Sequence, residues 1–402
     1  MRETLIARLA EPAPGRLQLL SGPRQVGKTH LLLELAGQLG ELAIYAAADA
    51  PAAALGGWLE SQWAEAERLA KAKGSAVLLL DEIHYLAGWE RKLKTEHDRI
   101  VRDRLPIHVV ATGSSSLKLG RGARETMAGR FESLRLLHWP AAELVRQLGL
   151  EPAEAVDSTL AFGTYPGALA YRTDPDRRDA YLREAIVEPA LGRDLLALEW
   201  IRKPALLRQV FAVAVGHPAE IVSLQKLRGE LADAGALATI AHYLEVLEAA
   251  FMVAGVRKYS RQAIRRRASP PKLILLNQGL LAAHSLREAS RQPDAPAVAS
   301  REVENACIAL AWNAGQEVFY WREEPYEVDL ISTGSWGNWA IEIKTGRTAT
   351  TDLAGLLRFV GRHRQFRPLL VHSPEREPAS IVAGTPIVTR NWRQFLLEGP
   401  PA

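Results

Sequence analysis

The chain has 402 residues, of which 48% are hydrophobic and 24% charged, and its formal net charge is +4. That is the composition of a globular protein with a large core and two or three domains, and so small a net charge does not identify a partner by itself. The single cysteine, Cys307, excludes a disulfide framework and a thiolate metal centre. Cys307 lies in an apolar helical pattern and reads as a buried, inert thiol. The N-terminus has no apolar core of signal-peptide type, and no apolar run reaches the ~18 residues of a membrane span. The expected location is cytoplasmic.

In chain order, residues 1–16 read as a short helical lead-in and a Pro/Gly turn. Leu17–Leu20 reads as a buried strand and His30–Leu39 as a helix. Between them, Gly22-Pro23-Arg24-Gln25-Val26-Gly27-Lys28-Thr29 fits G-x-x-x-x-G-K-S/T in the strand–loop–helix setting that a phosphate loop needs. Its backbone N–H groups and the following helix N-terminus form a concave anion site. Lys28 is expected on the β- and γ-phosphates and Thr29 on Mg²⁺. Ala43–Ala46 is a candidate second strand, and Ala52–Lys73 an amphipathic helix with Trp58 and Trp63 as packing residues. Val77–Leu80 runs into Asp81-Glu82, an apolar central strand ending in two carboxylates. Asp81 is placed to hold Mg²⁺ and Glu82 to orient and deprotonate the attacking water; the competing assignment is a helix N-cap pair. Ile107–Ala111 runs into Thr112-Gly113-Ser114-Ser115-Ser116, with Ser114 the first choice for a γ-phosphate sensor and Thr112 the second. Arg130, in Ala128-Gly129-Arg130-Phe131, is either a finger reaching a neighbouring subunit's γ-phosphate or a surface arginine. Strands alternating with helices give an α/β fold with an open parallel sheet, its ligands at the strands' carboxyl ends.

The combination G-P-R-Q-V-G-K-T, L-L-L-D-E-I-H, A-T-G-S-S-S and A-G-R-F resembles an AAA+ ATPase module over residues 1 to about 145. It is similar to one bacterial and archaeal subgroup in which the module is fused to a C-terminal domain of unknown function, and the resemblance covers nearly the whole chain. It implies ATP and Mg²⁺ as cofactors and self-association. A hexameric ring follows if Arg130 acts in trans.

After Trp139-Pro140 the pattern turns helical. Phe162-Gly163-Thr164-Tyr165-Pro166-Gly167 resembles the subgroup's turn at the start of its lid, and Arg172 is either a second ATP sensor or a lid-surface arginine. Ala180–Leu198 reads as one long helix. Residues 205 to about 262 resemble a winged helix-turn-helix, with helices at 206–215, from 222 and at 236–249, and a wing at 251–256. The third helix turns Thr239, His242, Glu245 and Glu248 outward without a Lys or Arg, which leaves DNA contact and protein packing both open. The next segment carries Arg257, Lys258, Arg261, Arg265, Arg266, Arg267 and Lys272 with no acid among them. It reads as a phosphate-backbone contact or a solvated loop.

Beyond a Pro/Ala-rich linker, Val328-Asp329-Leu330-Ile331 and Trp339-Ala340-Ile341-Glu342-Ile343-Lys344 form a strand pair, with Glu304 on the preceding helix. Asp on one strand and Glu-x-Lys on the next resembles the PD-(D/E)xK nuclease superfamily, which implies a restriction-endonuclease-like α/β fold. In that resemblance Asp329 and Glu342 would bind Mg²⁺, Glu304 would complete the shell, and Lys344 would activate water or steady the transition state. A helix at 352–366 offers a second basic face through Arg358, Arg362, His363, Arg364 and Arg367.

The expected organisation is therefore an AAA+ P-loop ATPase domain (1–140), a helical lid (141–204), a winged-helix domain with a basic segment (205–285) and a nuclease-like domain (286–402). The expected activity is ATP-driven remodelling or translocation of DNA by an oligomeric ring, Holliday junctions being one candidate substrate, with the nuclease-like domain binding DNA and its metal-dependent cleavage left open. The alternative is a nucleotide-controlled switch that presents its middle domain to a protein partner, without nuclease activity.

Overall fold

The computed structural model describes residues 1–113, 127–195, 201–231, 236–260, 269–283, 300–346, 349–375, 381–382 and 384–401. They fall into two compact units, 1–137 and 138–402.

The N-terminal unit is built on five parallel strands: β1 (Leu17–Ser21), β2 (Ala43–Ala47), β3 (Ala76–Asp81), β4 (Ile107–Gly113) and β5 (Phe131–Arg135), in the order β2-β3-β4-β1-β5. The three central strands are buried along their whole length, while β2 and β5 at the edges are only part-buried. A parallel strand covered on both faces must be apolar on both, which is why β3 reads as a continuous run. Along β3, Leu78 and Leu80 pack on one face with Leu59 and Trp63 of α3 (Trp58–Lys73) and Leu93 of α4 (Trp89–Arg102). Val77 and Leu79 pack on the other with Leu5 of α1 (Arg2–Leu9) and Leu31, Leu32 and Leu35 of α2 (Lys28–Leu39). The helix expected from Ala52 starts only at Trp58. Residues Pro51–Ala54 form a single turn, and Gly57 at φ 81° supplies the left-handed entry to α3.

The C-terminal unit opens with α5 (Ala141–Leu148), α6 (Pro152–Phe162), α7 (Pro166–Leu169) and α8 (Pro175–Tyr181). The expected long helix continues from α8 only as widened turns, at Leu182–Val187 and Ala190–Asp194. Three helices follow, α9 (Pro204–Gly216), α10 (Leu224–Gly229) and α11 (Leu237–Ala249), then β6 (Val253–Lys258) and β7 (Lys272–Leu275). The succession α12 (Ser300–Asn313), β8 (Glu317–Glu323), β9 (Tyr326–Thr333), β10 (Trp339–Ile343), α13 (Ala354–Arg362) and β11 (Arg367–His372) comes next. The chain ends with the ribbon β12 (Ile381–Val382)/β13 (Thr385–Pro386), β14 (Val388–Asn391) and α14 (Trp392–Glu398).

The three helices expected of a winged helix are present, but the segment expected as the wing, 251–256, leads into β6 and does not stand apart. β6 pairs in parallel with β8, Arg257 opposite Phe319 and Lys258 opposite Tyr320, and all join one seven-stranded sheet, β14-β11-β10-β9-β8-β6-β7. A free strand edge carries unpaired N–H and C=O groups, and this pairing satisfies them. The expected boundary at 285/286 therefore does not separate two sheets. Glu248, expected to face outward from α11, instead accepts a hydrogen bond from Gly255 N–H at 3.1 Å. On the β9–β10–β11 side, Leu356 and Phe359 of α13 pack on Trp321, Val328, Ile331, Ala340 and Leu370. Among the described residues, no helix is long and apolar enough to cross a membrane.

Candidate functional site

The phosphate loop connects β1 to α2, and its backbone explains its glycines. Gly27 sits at φ 100°, a conformation costly for any residue with a Cβ. A Cβ on Gly22 would lie 2.1 Å from the carbonyl oxygen of Leu136, so nothing larger than hydrogen fits there. Lys28 opens α2 and is buried, its ammonium donating to the carbonyls of Pro23 at 2.8 Å and Gly22 at 3.2 Å. The charge is thus held over the cradle of the loop. Thr29 is exposed in the first helical turn.

The two carboxylates lie at the same edge of the sheet, at the end of β3 between β2 and β4. Asp81 is 3% exposed; one carboxylate oxygen accepts from the Tyr45 hydroxyl at 3.0 Å and the other from the Thr112 hydroxyl. Burial and the neighbouring Asp81 push the Tyr45 phenol up, so it stays a neutral donor. The Thr112 oxygen also accepts from the backbone N–H of Glu82 at 3.0 Å. Thr112 therefore ties the carboxylate pair to β4, and its hydroxyl is committed to Asp81. Glu82 has a left-handed backbone, φ 48° and ψ 40°, strain of the kind that persists where surrounding structure enforces it. Its carboxylate lies 3.1 Å from Nδ1 of His84, whose side chain is 1% exposed. Burial pushes the Glu82 carboxyl up, but His84, Lys28 and Arg24 outweigh it and hold the group below the usual carboxylate range. The result is a partly buried, ionised glutamate beside the phosphate loop. Sequence reading did not single out Tyr45 or His84. Tyr45 was only a strand residue and His84 only a letter in a motif, and no periodicity marks either as a neighbour of the acids.

Ser114 lies outside the described residues. Arg130 bonds Asp98 on α4, Nε to Oδ1 at 2.5 Å and a terminal nitrogen to Oδ2 at 3.3 Å. Its carbonyl accepts from Leu17 N–H at the start of β1. Arg130 thus marks the amino edge of the sheet, whereas the phosphate loop leaves the carboxyl edge, roughly 16 Å along a five-residue strand. Arg172, in the other unit, pairs with Glu154 at 3.2 Å.

The C-terminal unit brings together the residues read as nuclease-like. In the β9–β10 register Ile341 faces Leu330, and one step further Asp329 lies beside Glu342. Asp329 accepts from the backbone N–H of Ile343 at 2.8 Å, and Lys344 pairs with Glu342 at 2.7 Å. The other oxygen of Glu342 is buried and finds no hydrogen-bond partner among the described residues. Burial, then the neighbouring Asp329, pushes the Glu342 carboxyl well above the usual range. Burial and Asp329 likewise raise Glu304, to about 7.

The surprise in this cluster is Lys272. It closes the basic segment and opens the run 272–277, which reads as a strand returning to the core; it is 1% exposed and pairs with Glu304 at 2.6 Å, Glu327 at 3.3 Å and Asp329 at 3.7 Å. Burial disfavours its charge, yet Asp329, Glu304 and Glu327 raise its pKa and keep it protonated. Among the described residues, no group of three or more acidic, histidine or cysteine side chains is arranged to hold a metal ion. Of the three residues expected to form a Mg²⁺ shell, Glu304 and Asp329 are instead paired with the Lys272 ammonium.

Of the remaining basic segment, Arg257 is exposed and Lys258 partly so, while Arg261, Arg265, Arg266 and Arg267 lie outside the described residues. The second basic face is shorter and less free than expected. Its helix ends at Arg362, Arg358 and Arg362 both pair with Glu323, and Arg367 stacks 4.1 Å above the ring of Trp339.

Residues 15–145 match the family model described as an AAA domain, and residues 153–291 match one described as a domain of unknown function (DUF8612). No curated protein gives a match. Among solved structures, AMPPCP-bound DnaA from Aquifex aeolicus is similar at 17% identity, covering 61% of this chain and 86% of that one, with a TM-score of 0.33. ORC1 from Aeropyrum pernix, solved in complex with DNA, is similar at 18% identity over 72% and 90%, with a TM-score of 0.29. A RuvB variant from Thermotoga maritima is similar at 19% identity over 63% and 88%, with a TM-score of 0.34. Likenesses at this level carry no conclusion about what this chain binds. The match to an AAA domain over 15–145 thus falls on the residues that form the all-parallel sheet and the phosphate loop.

Proposed function

We propose that the protein hydrolyses ATP at the phosphate loop and uses the cycle to remodel or move DNA, branched DNA such as Holliday junctions included. The observation that carries this reading is the meeting of Lys28, Asp81, Glu82 and Thr112 at the carboxyl edge of one parallel sheet. The loop N–H groups and the start of α2 bind the phosphates. Lys28 exchanges its loop carbonyls for β- and γ-phosphate oxygens. Thr29 and Asp81 are the residues that would hold Mg²⁺, which supplies charge neutralisation on the phosphates when bound. The fit is supported by Asp81, whose two oxygens are oriented by Tyr45 and Thr112. Glu82, kept ionised, accepts a proton from the attacking water, and His84 fixes the direction of its carboxylate.

Arg130 stands at the amino edge of the sheet and so cannot serve the phosphate loop of its own chain. That position supports a role in trans, in which it leaves Asp98 for the γ-phosphate of an adjacent copy within a ring, taken here as a hexamer. The exposed Arg257 begins the basic segment that would meet the DNA backbone. The α–β–β–β–α–β succession from α12 to β11, with Asp329 beside Glu342-x-Lys344, supports a nuclease-like fold as a DNA-docking element.

The test is ATP turnover with and without single strands, duplex, forks and four-way junctions, at two salt concentrations. Stimulation by one DNA form that weakens with salt is the expected result. Turnover indifferent to every DNA would refute the DNA reading. One observation favours the switch alternative: Lys272 is buried and Arg358 and Arg362 are paired with Glu323, which removes part of the expected basic surface. Tight nucleotide retention with no DNA response is the outcome that reading requires.

A further inference from the structure

The carboxylates of this cluster come from three successive elements: Glu304 on α12, Glu327 and Asp329 on β9, and Glu342 on β10. Acidic side chains gathered in a buried space repel one another unless a cation lies between them. Here the cation belongs to the chain. The Lys272 ammonium is 2.6 Å from Glu304, 3.3 Å from Glu327 and 3.7 Å from Asp329, and it also donates to the Asp329 carbonyl at 3.4 Å.

Its position is fixed by the backbone. Lys272 pairs with Val256 in the β6–β7 ladder and forms a bridge to Ile221 on its other side. The flanking Pro271 carbonyl accepts from Val222 N–H at 2.9 Å, and Leu273 N–H donates to the Glu220 carbonyl at 2.8 Å. The backbone of Lys272 is thus held on both sides, and its side chain is 1% exposed. A magnesium ion needs oxygens at about 2.0–2.1 Å in octahedral array, and an ammonium already paired with three of the four carboxylates occupies that space.

We infer that Lys272 is the resident cation of this cluster, standing where a divalent metal would bind, so that the C-terminal unit holds its nuclease-like fold without metal and does not cut DNA. The inference rests on reading Asp329, Glu342 and Lys344 as a nuclease-like constellation. It adds that a single lysine from a strand outside that constellation has closed it.

The experiment uses the full chain without nucleotide. Mn²⁺ is titrated while free Mn²⁺ is followed by electron paramagnetic resonance, and thermal melts are recorded with and without Mn²⁺. The wild-type chain is expected to show no saturable site up to millimolar Mn²⁺ and no melting shift. Lys272→Ala removes the ammonium and opens space among the acids. It is expected to melt lower, to bind one Mn²⁺ per chain, and to regain stability as Mn²⁺ rises, with the gain lost when Glu304→Gln or Asp329→Asn is added. A saturable Mn²⁺ site in the wild-type chain, abolished by Glu342→Gln, would overturn the inference while leaving the nuclease-like reading intact. A folded Lys272→Ala chain with no Mn²⁺ response would overturn both, because the acids would then be no metal constellation at all. If Lys272→Ala does not fold, the wild-type titration decides alone, and a DNA gel with Mn²⁺ is its second readout: no cutting is expected, and cutting lost in Glu342→Gln overturns the inference.

Discussion

Replacing Glu82 by Gln separates nucleotide binding from hydrolysis at the N-terminal site. The side chain keeps its volume and the left-handed backbone is unchanged, so the Thr112 bond to the Glu82 N–H survives. Lys28, Thr29 and Asp81 are untouched, and ATP affinity should stay within a few-fold of wild type. What is lost is a carboxylate kept ionised by His84, Lys28 and Arg24. A positioned general base contributes about 10²- to 10⁴-fold, so kcat should fall by that factor, which is about 2.7 to 5.4 kcal/mol of transition-state stabilisation. The assays are steady-state phosphate release and binding of a fluorescent ATP analogue on the same preparation. His84→Ala is the companion. It leaves the carboxylate in place but removes its neighbour at 3.1 Å, so kcat should fall less than in Glu82→Gln and the acid limb of the pH–rate profile should move upward. Unchanged kcat in Glu82→Gln would remove Glu82 from the mechanism. A parallel loss of ATP affinity would show instead that the residue shapes the loop.

Other outcomes follow from the same geometry. Arg130→Ala and Lys28→Ala should each be inactive alone, and mixing them should restore turnover in the fraction of interfaces that pair an intact loop with an intact arginine; no recovery would refute the trans assignment. Gly22→Ala should lower ATP affinity by at least an order of magnitude, since the new methyl meets the Leu136 carbonyl at 2.1 Å and one of the two backbones must move; isothermal titration reads this directly. His138 is buried, its Nε2 bonded to the Phe251 carbonyl at 3.0 Å and its Nδ1 to the Asn277 amide at 3.1 Å, and burial lowers its pKa to about 4. The unfolded chain binds this proton below about 6.5 and the folded chain only below about 4, so stability is full above pH 6.5 and falls as pH drops through that window. The loss is about 3 kcal/mol at pH 4, seen as a fall in denaturation midpoint that His138→Gln should flatten.

What could be read in the sequence was whatever lies in one contiguous stretch. The phosphate loop is such a stretch, because its anion site is made by the backbone of eight successive residues and the first turn of the helix after them. β3 was legible for a related reason: a central parallel strand is apolar on both faces, so Asp81-Glu82 at its end stands out against Val77–Leu80. The pairing of Asp329 with Glu342 was legible through the side-chain period of two and the short turn joining their strands. Tertiary structure decided what depends on residues brought from far away. Thr112 reads in sequence as a possible phosphate sensor; only the β3–β4 register shows its hydroxyl bound to Asp81 and to the Glu82 backbone, 31 and 30 residues distant. The segment read as a wing, 251–256, leads into β6, which joins the C-terminal sheet through β8 because its edge needs a partner. Lys272 reads as one more cation in a basic run at the head of an apolar strand, and nothing local names the acids it meets. Its partners Glu304 and Asp329 lie 32 and 57 residues away, and only the fold, by burying the lysine among them, turns a surface charge into the counter-ion of the cluster.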